Sequence, residues 1–322
     1  MGEKLAVWVI ALILFAQEKP ASPAKEKEIV LEGTTSFDYV TVDSDAGRLY
    51  VGHAPKIDVI DLKKGAKVGE VAGVEGAHGA IPVSEFKRGF ATAGRKNKLV
   101  VFDLDSFKVS KEIETGENPD ALLYVATTKE VWTFNGRGKS VTCVDASTLE
   151  VKATIKLDGK PEAAVEDAAK GIVYVNLEDK STICVLDAKK HEVTGTYPLS
   201  PGEEPTGLAF DARNGLLFAG CGNRKLVAVE AATGKVVATA AIGERCDGVA
   251  FDAGAGIIYA SCADATSVLL VKDAVTLETL ASPPDSGGKT CALDAKTRKL
   301  YVTTGPRRGE KGVVKVLVFA PK

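Results

Sequence analysis

An aromatic residue recurs about every 42 residues along the chain, and this period limits the fold more than any other feature of the sequence. The steps between successive aromatics are 40, 42, 42, 44, 41 and 42 residues. The seven positions are Tyr50, Phe90, Trp132, Tyr174, Phe218, Tyr259 and Tyr301. An acidic residue follows the same period, at Asp61, Asp103, Asp145, Asp187, Glu230 and Asp273. The chain therefore contains seven units of one repeat.

Each unit consists of short β-type runs. Four of them lie in residues 141–179 and read TCVDA, VKATIKL, EAAVED and GIVYVNL, and turn-forming residues close each run. A four-stranded sheet of this kind has two apolar faces, and radial packing of several sheets buries both. We therefore predict an all-β fold, a seven-bladed β-propeller of four-stranded blades.

The two ends of the chain predict how the ring closes. The seventh unit stops after its third strand, at 313–319, and residues 28–33 (EIVLEG) resemble a fourth strand such as 154–159 (TIKLDG). The N-terminal strand is thus expected to complete the last blade, which leaves no open seam. The propeller is predicted over residues 28–322.

The N-terminus has the pattern of a targeting segment. Lys4 precedes an apolar run at 5–16, which is too short for a comfortable membrane span. Residues 1–17 are predicted to be a signal peptide, with a retained N-terminal anchor as the alternative, and 18–27 a disordered tether. A bacterial export signal implies a periplasmic or secreted protein, and no other membrane segment is expected.

The repeat units resemble a known family. The segments GRLYV, KIDVIDL, NPDALLY, GIVYVN, EEPTGLAFD and KLYVTT are similar to the YVTN-repeat β-propellers of the YncE-like family. The resemblance covers residues 28–322 and implies a seven-bladed, mostly bacterial and exported propeller of the WD40/YVTN type. It implies no particular reaction, because that family is defined by its repeat.

One residue of each blade is predicted at the top of the central channel, where the first strands begin. These ring residues are Asp38, His78, Asp120, Glu162, Thr206, Asp247 and Lys289, with Thr290 replacing Lys289 if the alignment shifts by one. Carboxylates and imidazole are donors for divalent cations, so the ring is a candidate site for a cation or small polar ligand. Turn chemistry and channel solvation explain the same residues without a ligand.

Two kinds of chemistry are open to this ring. Asp120 and Glu162, with His78 nearby, form a candidate acid/base set. His53, together with the same three residues, is a candidate site for Ca²⁺, Zn²⁺ or Mg²⁺, and no other cofactor is indicated. Such a site would support metal-dependent hydrolysis, by analogy with propeller lactonases. No nucleophile motif occurs, so binding is favoured over catalysis.

A second set of top loops is basic. Its members are Arg95, Lys96, Arg137, Lys139, Arg224, Lys225, Arg307 and Arg308. This basic collar is a candidate site for a polyanion or DNA, although ordinary hairpin solvation explains it as well. The net charge of -2 and the lack of stacking aromatics in these loops make nucleic acid the less favoured partner.

The six cysteines lack the spacing of a metal knuckle or a redox motif. An oxidising compartment permits disulfides, and the predicted blade positions allow a bridge between Cys221 and Cys246. Cys143 and Cys184 are expected to be free and buried. Taken together, the sequence predicts an exported, monomeric binding or scaffold module whose top face holds a cation, a small polar ligand or a protein partner.

Overall fold

The computed structural model describes residues 21–33, 36–273, 275–306, 310 and 312–321. In these residues the chain forms seven antiparallel sheets of four strands each. In the part of the chain that the structure describes, helix is limited to three single 3₁₀ turns, at Ser84–Phe86, Gly94–Lys96 and Glu178–Lys180. The predicted seven-bladed β-propeller is confirmed.

Blades one to six are each built from four consecutive strands. Blade one contains β2 (Phe37–Asp43), β3 (Arg48–His53), β4 (Lys56–Asp61) and β5 (Ala66–Ala72). Blade two contains β6 (Ala77–Val83), β7 (Arg88–Ala93), β8 (Lys98–Asp103) and β9 (Val109–Glu114). Blade three contains β10 (Pro119–Val125), β11 (Glu130–Asn135), β12 (Ser140–Asp145) and β13 (Val151–Lys156).

The next three blades repeat this order. Blade four contains β14 (Pro161–Asp167), β15 (Ile172–Leu177), β16 (Thr182–Asp187) and β17 (Glu192–Pro198). Blade five contains β18 (Pro205–Asp211), β19 (Leu216–Cys221), β20 (Lys225–Glu230) and β21 (Val236–Ala241). Blade six contains β22 (Cys246–Asp252), β23 (Ile257–Cys262), β24 (Thr266–Asp273) and β25 (Thr276–Leu280).

Blade seven is made from both ends of the chain. It contains β26 (Cys291–Leu293), β27 (Leu300–Thr304), β28 (Val314–Ala320) and, as its outer strand, β1 (Ala24–Leu31). β1 pairs antiparallel with β28, with Ile29 opposite Val316. The predicted closure is confirmed, but the closing strand begins at Ala24, so the part of the predicted tether from 24 to 27 is strand. Residues 1–17 of the predicted signal peptide lie outside the described residues.

Apolar clusters fill every junction between neighbouring blades. Each of the seven buried clusters combines residues from two adjacent blades, including a cluster that joins blade seven to blade one. The seven repeat aromatics are at most 3% exposed and belong to this core. The sheets therefore bury both faces by packing radially. In the described part of the chain, no helix has the length and apolar character needed to cross a membrane.

Candidate functional site at the channel mouth

Six of the seven ring residues lie in β-bulges. In blades one to six the pairing of the first two strands shifts register near the start of the first strand. The shift falls on the ring residue itself, at Asp38, His78, Asp120, Glu162, Thr206 and Asp247. A bulge bends its strand and re-aims a side chain. The bulges thus take these side chains out of the regular sheet pattern at the channel mouth, the end at which the first strands begin.

Asp38 is the centre of a charged network at the mouth. Its Oδ2 lies 2.8 Å from Nδ1 of His78, and its Oδ1 lies 2.9 Å from Nζ of Lys289. The same His78 nitrogen lies 3.2 Å from Oδ1 of Asp120. Thr290, the alternative ring residue, is buried and donates its hydroxyl to the Asp38 carbonyl at 2.8 Å. The network therefore joins blades seven, one, two and three.

The network sets the charge of its members. Burial raises the pKa of Asp38. Lys289 and His78 together lower this pKa by more than burial raises it, so the pKa lies below its ordinary value. Burial lowers the pKa of His78, whereas the hydrogen bond to Asp38 and the nearby charge of Asp120 raise it more, and the net shift is upward. Burial also lowers the pKa of Lys289. The negative charges of Asp38 and Asp247 raise this pKa by more, so the net shift is upward. The charged forms of Asp38, His78 and Lys289 stabilise one another.

At three further carboxyl groups of the mouth, the nearby positive charges do not outweigh the effect of burial. Burial raises the pKa of Asp120 to about 6, against the lowering effect of His78. Burial and the charge of Asp120 raise the pKa of Glu162 to about 8, although Nζ of Lys160 lies 2.7 Å from its Oε1. Burial also raises the pKa of Asp247. An additional positive charge at the mouth would favour the ionised form of all three.

Tyr39 also belongs to this site, and the sequence analysis missed it. It follows Asp38 in the bulge of blade one and packs against the apolar cluster between blades three and four. Burial raises the pKa of its phenol, and the charges of the four ring carboxylates raise it further. A Cβ on Gly79 would lie only 3.0 Å from Cβ of Tyr39, so a small residue is needed there.

A sequence signal for Tyr39 exists. The other six blades carry a small residue directly after the ring position, namely Gly79, Ala121, Ala163, Gly207, Gly248 and Thr290. Only blade one has a large side chain there. One aromatic residue at a position where the other repeats have small residues predicts a side chain that fills a space lined by several blades. Here that space is the channel mouth.

Polar side chains from the second strands hold the bulges in place. Each of three such side chains donates to the backbone carbonyl of a ring residue, namely Thr92 to Asp120 at 2.8 Å, Asn176 to Thr206 at 3.2 Å and Thr303 to Asp38 at 3.3 Å. All three donors lie two residues after the repeat aromatic and are fully buried. A polar residue that recurs at one core position was therefore a usable signal.

His53 lies away from the mouth. Its side chain is fully buried, and its Nδ1 lies 2.7 Å from Oδ2 of Asp58. The same ring faces Gly33, at the end of the segment that closes blade seven. Because successive strand residues point to opposite faces, His53 is turned toward blade seven, whereas Gly52 packs on the His78 backbone. The structure thus does not join His53 to the candidate metal set.

A smaller set of donor atoms remains at the mouth. One carboxylate oxygen each from Asp38 and Asp120, and one ring nitrogen of His78, all lie within 4.8 Å of one another. Oxygen and imidazole nitrogen are donors that a divalent cation accepts. Lys289 lies on the same Asp38 carboxylate, so a metal ion would compete with an ammonium group for it.

The basic collar is partly neutralised. Three of its members pair with a carboxylate, namely Lys96 with Glu112, Lys139 with Asp179 and Arg224 with Glu244. Arg307 and Arg308 lie outside the described residues. Neighbouring carboxylates reduce the positive potential that a polyanion would need.

All six cysteines are free thiols in the structure. Cys221 lies in the cluster between blades four and five, whereas Cys246 lies in the cluster between blades five and six. Cys221 thus packs on the side of blade five that faces blade four, whereas Cys246, from blade six, packs on its other side. A disulfide bridge between them would need both sulfur atoms on the same side. Cys143 and Cys184 are free and buried.

No protein-family profile and no curated protein sequence matches the chain. Solved structures share its fold. A chain in the crystal structure of the mitotic checkpoint complex matches with a TM-score of 0.78 at 13% identity, over 98% of this chain and 99% of that chain. The WD40 repeats of RRP9 match with a TM-score of 0.75 at 12% identity, over 94% and 100%.

A chain of Kuenenia stuttgartiensis hydrazine synthase is a third structural neighbour. It matches with a TM-score of 0.74 at 12% identity, over 88% of this chain and 97% of that chain. At such low identities the likeness shows the fold alone. The chain thus has the seven-bladed propeller fold of WD40-repeat proteins, a scaffold commonly used for binding.

The raised pKa of Glu162 predicts a specific pH dependence of stability. The pKa is about 8 in the folded protein and 4.5 for an unperturbed group, so the folded state holds this proton more tightly than the unfolded state. The resulting stabilisation is present below pH 4.5 and is lost as the pH rises through 8. We expect Glu162→Gln to raise the melting temperature at pH 9 and to change it little at pH 5.

Melting curves of the wild type and Glu162→Gln between pH 5 and 9 measure this effect. Glu203→Gln, at an exposed top-loop position, is the matched control and should follow the wild type at every pH. Parallel curves for the wild type and Glu162→Gln across the range would contradict the prediction.

Proposed function

We propose that this protein is a binding module that holds a small cationic group at the channel mouth. The observation that carries the proposal is the excess of carboxyl groups there. Asp120, Glu162 and Asp247 have raised pKa values even though Lys160 and Lys289 lie among them. A bound cation would supply the missing positive charge, and the Tyr39 phenol offers a neutral hydrogen-bond donor beside it.

The pH dependence of binding follows from the same groups. A cation binds the ionised carboxylates, so it must compete with protons at Asp120, with a pKa of about 6, and at Glu162, with a pKa of about 8. Affinity is therefore expected to rise between pH 6 and pH 8.5. Two sources supply this chemistry, a hard divalent metal ion and an organic ammonium group.

Calorimetric titration of the purified protein with Ca²⁺, Mg²⁺ and methylammonium distinguishes these sources. We expect saturable binding of one probe class, weakened at least about tenfold by Asp120→Asn and by Glu162→Gln because each removes a direct electrostatic contact. Glu203→Gln, which changes an exposed top-loop carboxylate, is the matched control and should bind like the wild type. Failure of all three probes to bind, or binding that both ring variants retain, would overturn the proposal.

A metal-dependent hydrolase is the second candidate, and the closeness of Asp38, His78 and Asp120 favours it. The fit is partial, because Lys289 occupies the same carboxylate. A metal held there would polarise a substrate carbonyl, while the neighbouring Glu162 would move a proton. We would favour the hydrolase over a binding module if the metal-loaded protein hydrolysed lactones with saturable kinetics and Asp120→Asn abolished this activity.

We also propose that the chain is an exported protein of the YncE-like YVTN-repeat type, working in the periplasm or outside the cell. The repeat segments and the N-terminal pattern of Lys4 and residues 5–16 support this. A protein partner is a further proposal. It is supported by structural neighbours that come from multi-protein assemblies such as the mitotic checkpoint complex.

A further inference from the structure

A second cluster of donor side chains lies away from the mouth, between blades three and four. Its members are Glu130 at the start of β11, Cys143 on β12 and His191 in the turn between β16 and β17. Their donor atoms all lie within 4.8 Å of one another. Glu130 and Cys143 are buried, whereas the His191 side chain keeps 21% of its surface exposed. The cluster is therefore closed on the core side and open toward solvent.

The repeat shows that all three residues are exceptions at their positions. Where blade three has Glu130 at the start of the second strand, blades one and two have Arg48 and Arg88. Where blade four has His191, four residues after the repeat acid, the preceding blades have Gly65, Phe107 and Leu149. Where blade three has Cys143, blades one, two and four have Val59, Val101 and Val185.

At the equivalent junction between blades one and two, two of the usual residues make a cation–π contact. In blade one the guanidinium of Arg48 lies 5.1 Å from the ring centre of Phe107 of the next blade. Between blades three and four an acid, an imidazole and a thiol replace these three types together. An ion pair between a buried Glu and a His would explain these two residues by itself. It would not explain why a thiol stands in place of Val beside them.

We propose that Glu130, Cys143 and His191 bind a thiophilic divalent metal ion, Zn²⁺, at the junction of blades three and four. Oxygen, sulfur and nitrogen donors of this kind suit Zn²⁺. Binding forms one bond to each donor, the thiol proton passes to water, and a water molecule on the exposed side of His191 completes four-coordination.

The observed geometry is close to what Zn²⁺ needs. Donor atoms around tetrahedral Zn²⁺ lie about 3.3 to 3.6 Å apart, given bond lengths of about 2.0 Å to N or O and about 2.3 Å to S. Nε2 of His191 lies 3.1 Å from Oε1 and 2.9 Å from Oε2 of Glu130, and the Cys143 sulfur lies within 4.8 Å of the donor atoms of both residues. Small side-chain movements therefore suffice to bring the three donors together.

Neighbouring groups already orient the donors. The indole N–H of Trp132 donates to Oε2 of Glu130 at 2.8 Å, and the indole ring lies 5.9 Å from the His191 ring. Such partners fix the direction of a ligand before the metal arrives. His191 itself is held by a turn in which its N–H donates to the Asp187 carbonyl at 3.0 Å.

Titration of the metal-free full-length protein with Co²⁺ tests the proposal. Co²⁺ is a spectroscopic substitute for Zn²⁺, and a bound thiolate gives it a near-ultraviolet charge-transfer band. We expect one equivalent of Co²⁺ to produce this band and Zn²⁺ to displace it. The band is specific to this site because the candidate donor set at the mouth contains no cysteine.

Matched variants separate metal binding from packing. Cys143→Val installs the residue of the equivalent blades and should keep the melting temperature while abolishing the band, and His191→Gln should weaken Co²⁺ binding at least about tenfold. Cys184→Ser changes another buried thiol in the same apolar cluster and should leave the band intact. No band in the wild type, or a band that persists in Cys143→Val, would overturn the proposal.

Discussion

A chain that lacks residues 1–33 is expected to melt at least about 10 °C below a chain that lacks only residues 1–20. The longer deletion removes β1, whose Ile29 and Leu31 side chains are at most 4% exposed. Burial of each contributes about 1.5 to 3 kcal/mol, and a loss of 1 kcal/mol lowers the melting temperature of a domain of this size by about 2 to 4 °C. The deletion also leaves Val314 and Val316 of β28 without their cover.

Point variants keep this test independent of gross misfolding. Leu31→Ala should cost about 2 to 5 kcal/mol because it opens a cavity in the junction between blades seven and one. Its neighbour Val30 is 58% exposed, so Val30→Ala should change stability by less than about 0.5 kcal/mol. Equal effects of the two variants, measured by denaturant unfolding, would contradict the role given to β1.

Replacing Asp38 with Asn is expected to destabilise the protein by about 2 to 3 kcal/mol. The substitution leaves the ammonium of Lys289 and the ring of His78 without their shared carboxylate. Loss of one partner of a fully buried pair costs about 3 to 5 kcal/mol. The value is smaller here because Lys289 is 35% exposed and keeps part of its solvation. Denaturant unfolding at pH 7 measures the loss.

The same variant should lower the pKa of His78, which can be followed by its imidazole NMR signals. The chain has only three histidines, so His53 and His191 serve as internal references. Because the wild-type pKa is raised, the stability that His78 contributes is present at low pH and is lost as the pH rises through that pKa. Asp45→Asn is the matched control, since this aspartate is 87% exposed beside Lys296 and should have little effect. An unchanged His78 titration in Asp38→Asn would contradict the network.

The fold was predictable from sequence because a propeller repeats one physical solution seven times. The aromatics at Tyr50 and its equivalents lie in the second strands, and the acids at Asp61 and its equivalents end the third strands. Even the closing strand at 28–33 was located, although its start at Ala24 was missed. Lys and Glu dominate 24–28, and an outer strand tolerates such residues because one of its faces is solvated.

The site was less predictable, for two physical reasons. The ring positions of Asp38 and His78 follow from the repeat, but their mutual contacts depend on the direction in which the bulges aim the side chains. The recurring polar residue on the second strand marks where a bulge lies and does not give that direction. Polar residues also act across blade junctions, so their partners are distant in sequence. Even within blade one, a one-residue step along β3 turns His53 from the mouth to a buried contact with Asp58. The contact of His191 with Glu130 joins blades four and three, and the sequence analysis did not find it.

The pairing of β1 with β28 also sets an order of events during synthesis. Blades one to six consist of consecutive strands, so each can assemble from local segments as the chain emerges. β1 precedes every other strand of the propeller, whereas its partner β28 follows all of them, so the contact closes a loop that contains the other six blades. Its hydrophobic residues must therefore wait unpaired, and the ring gains its final cooperativity only in the last step of folding.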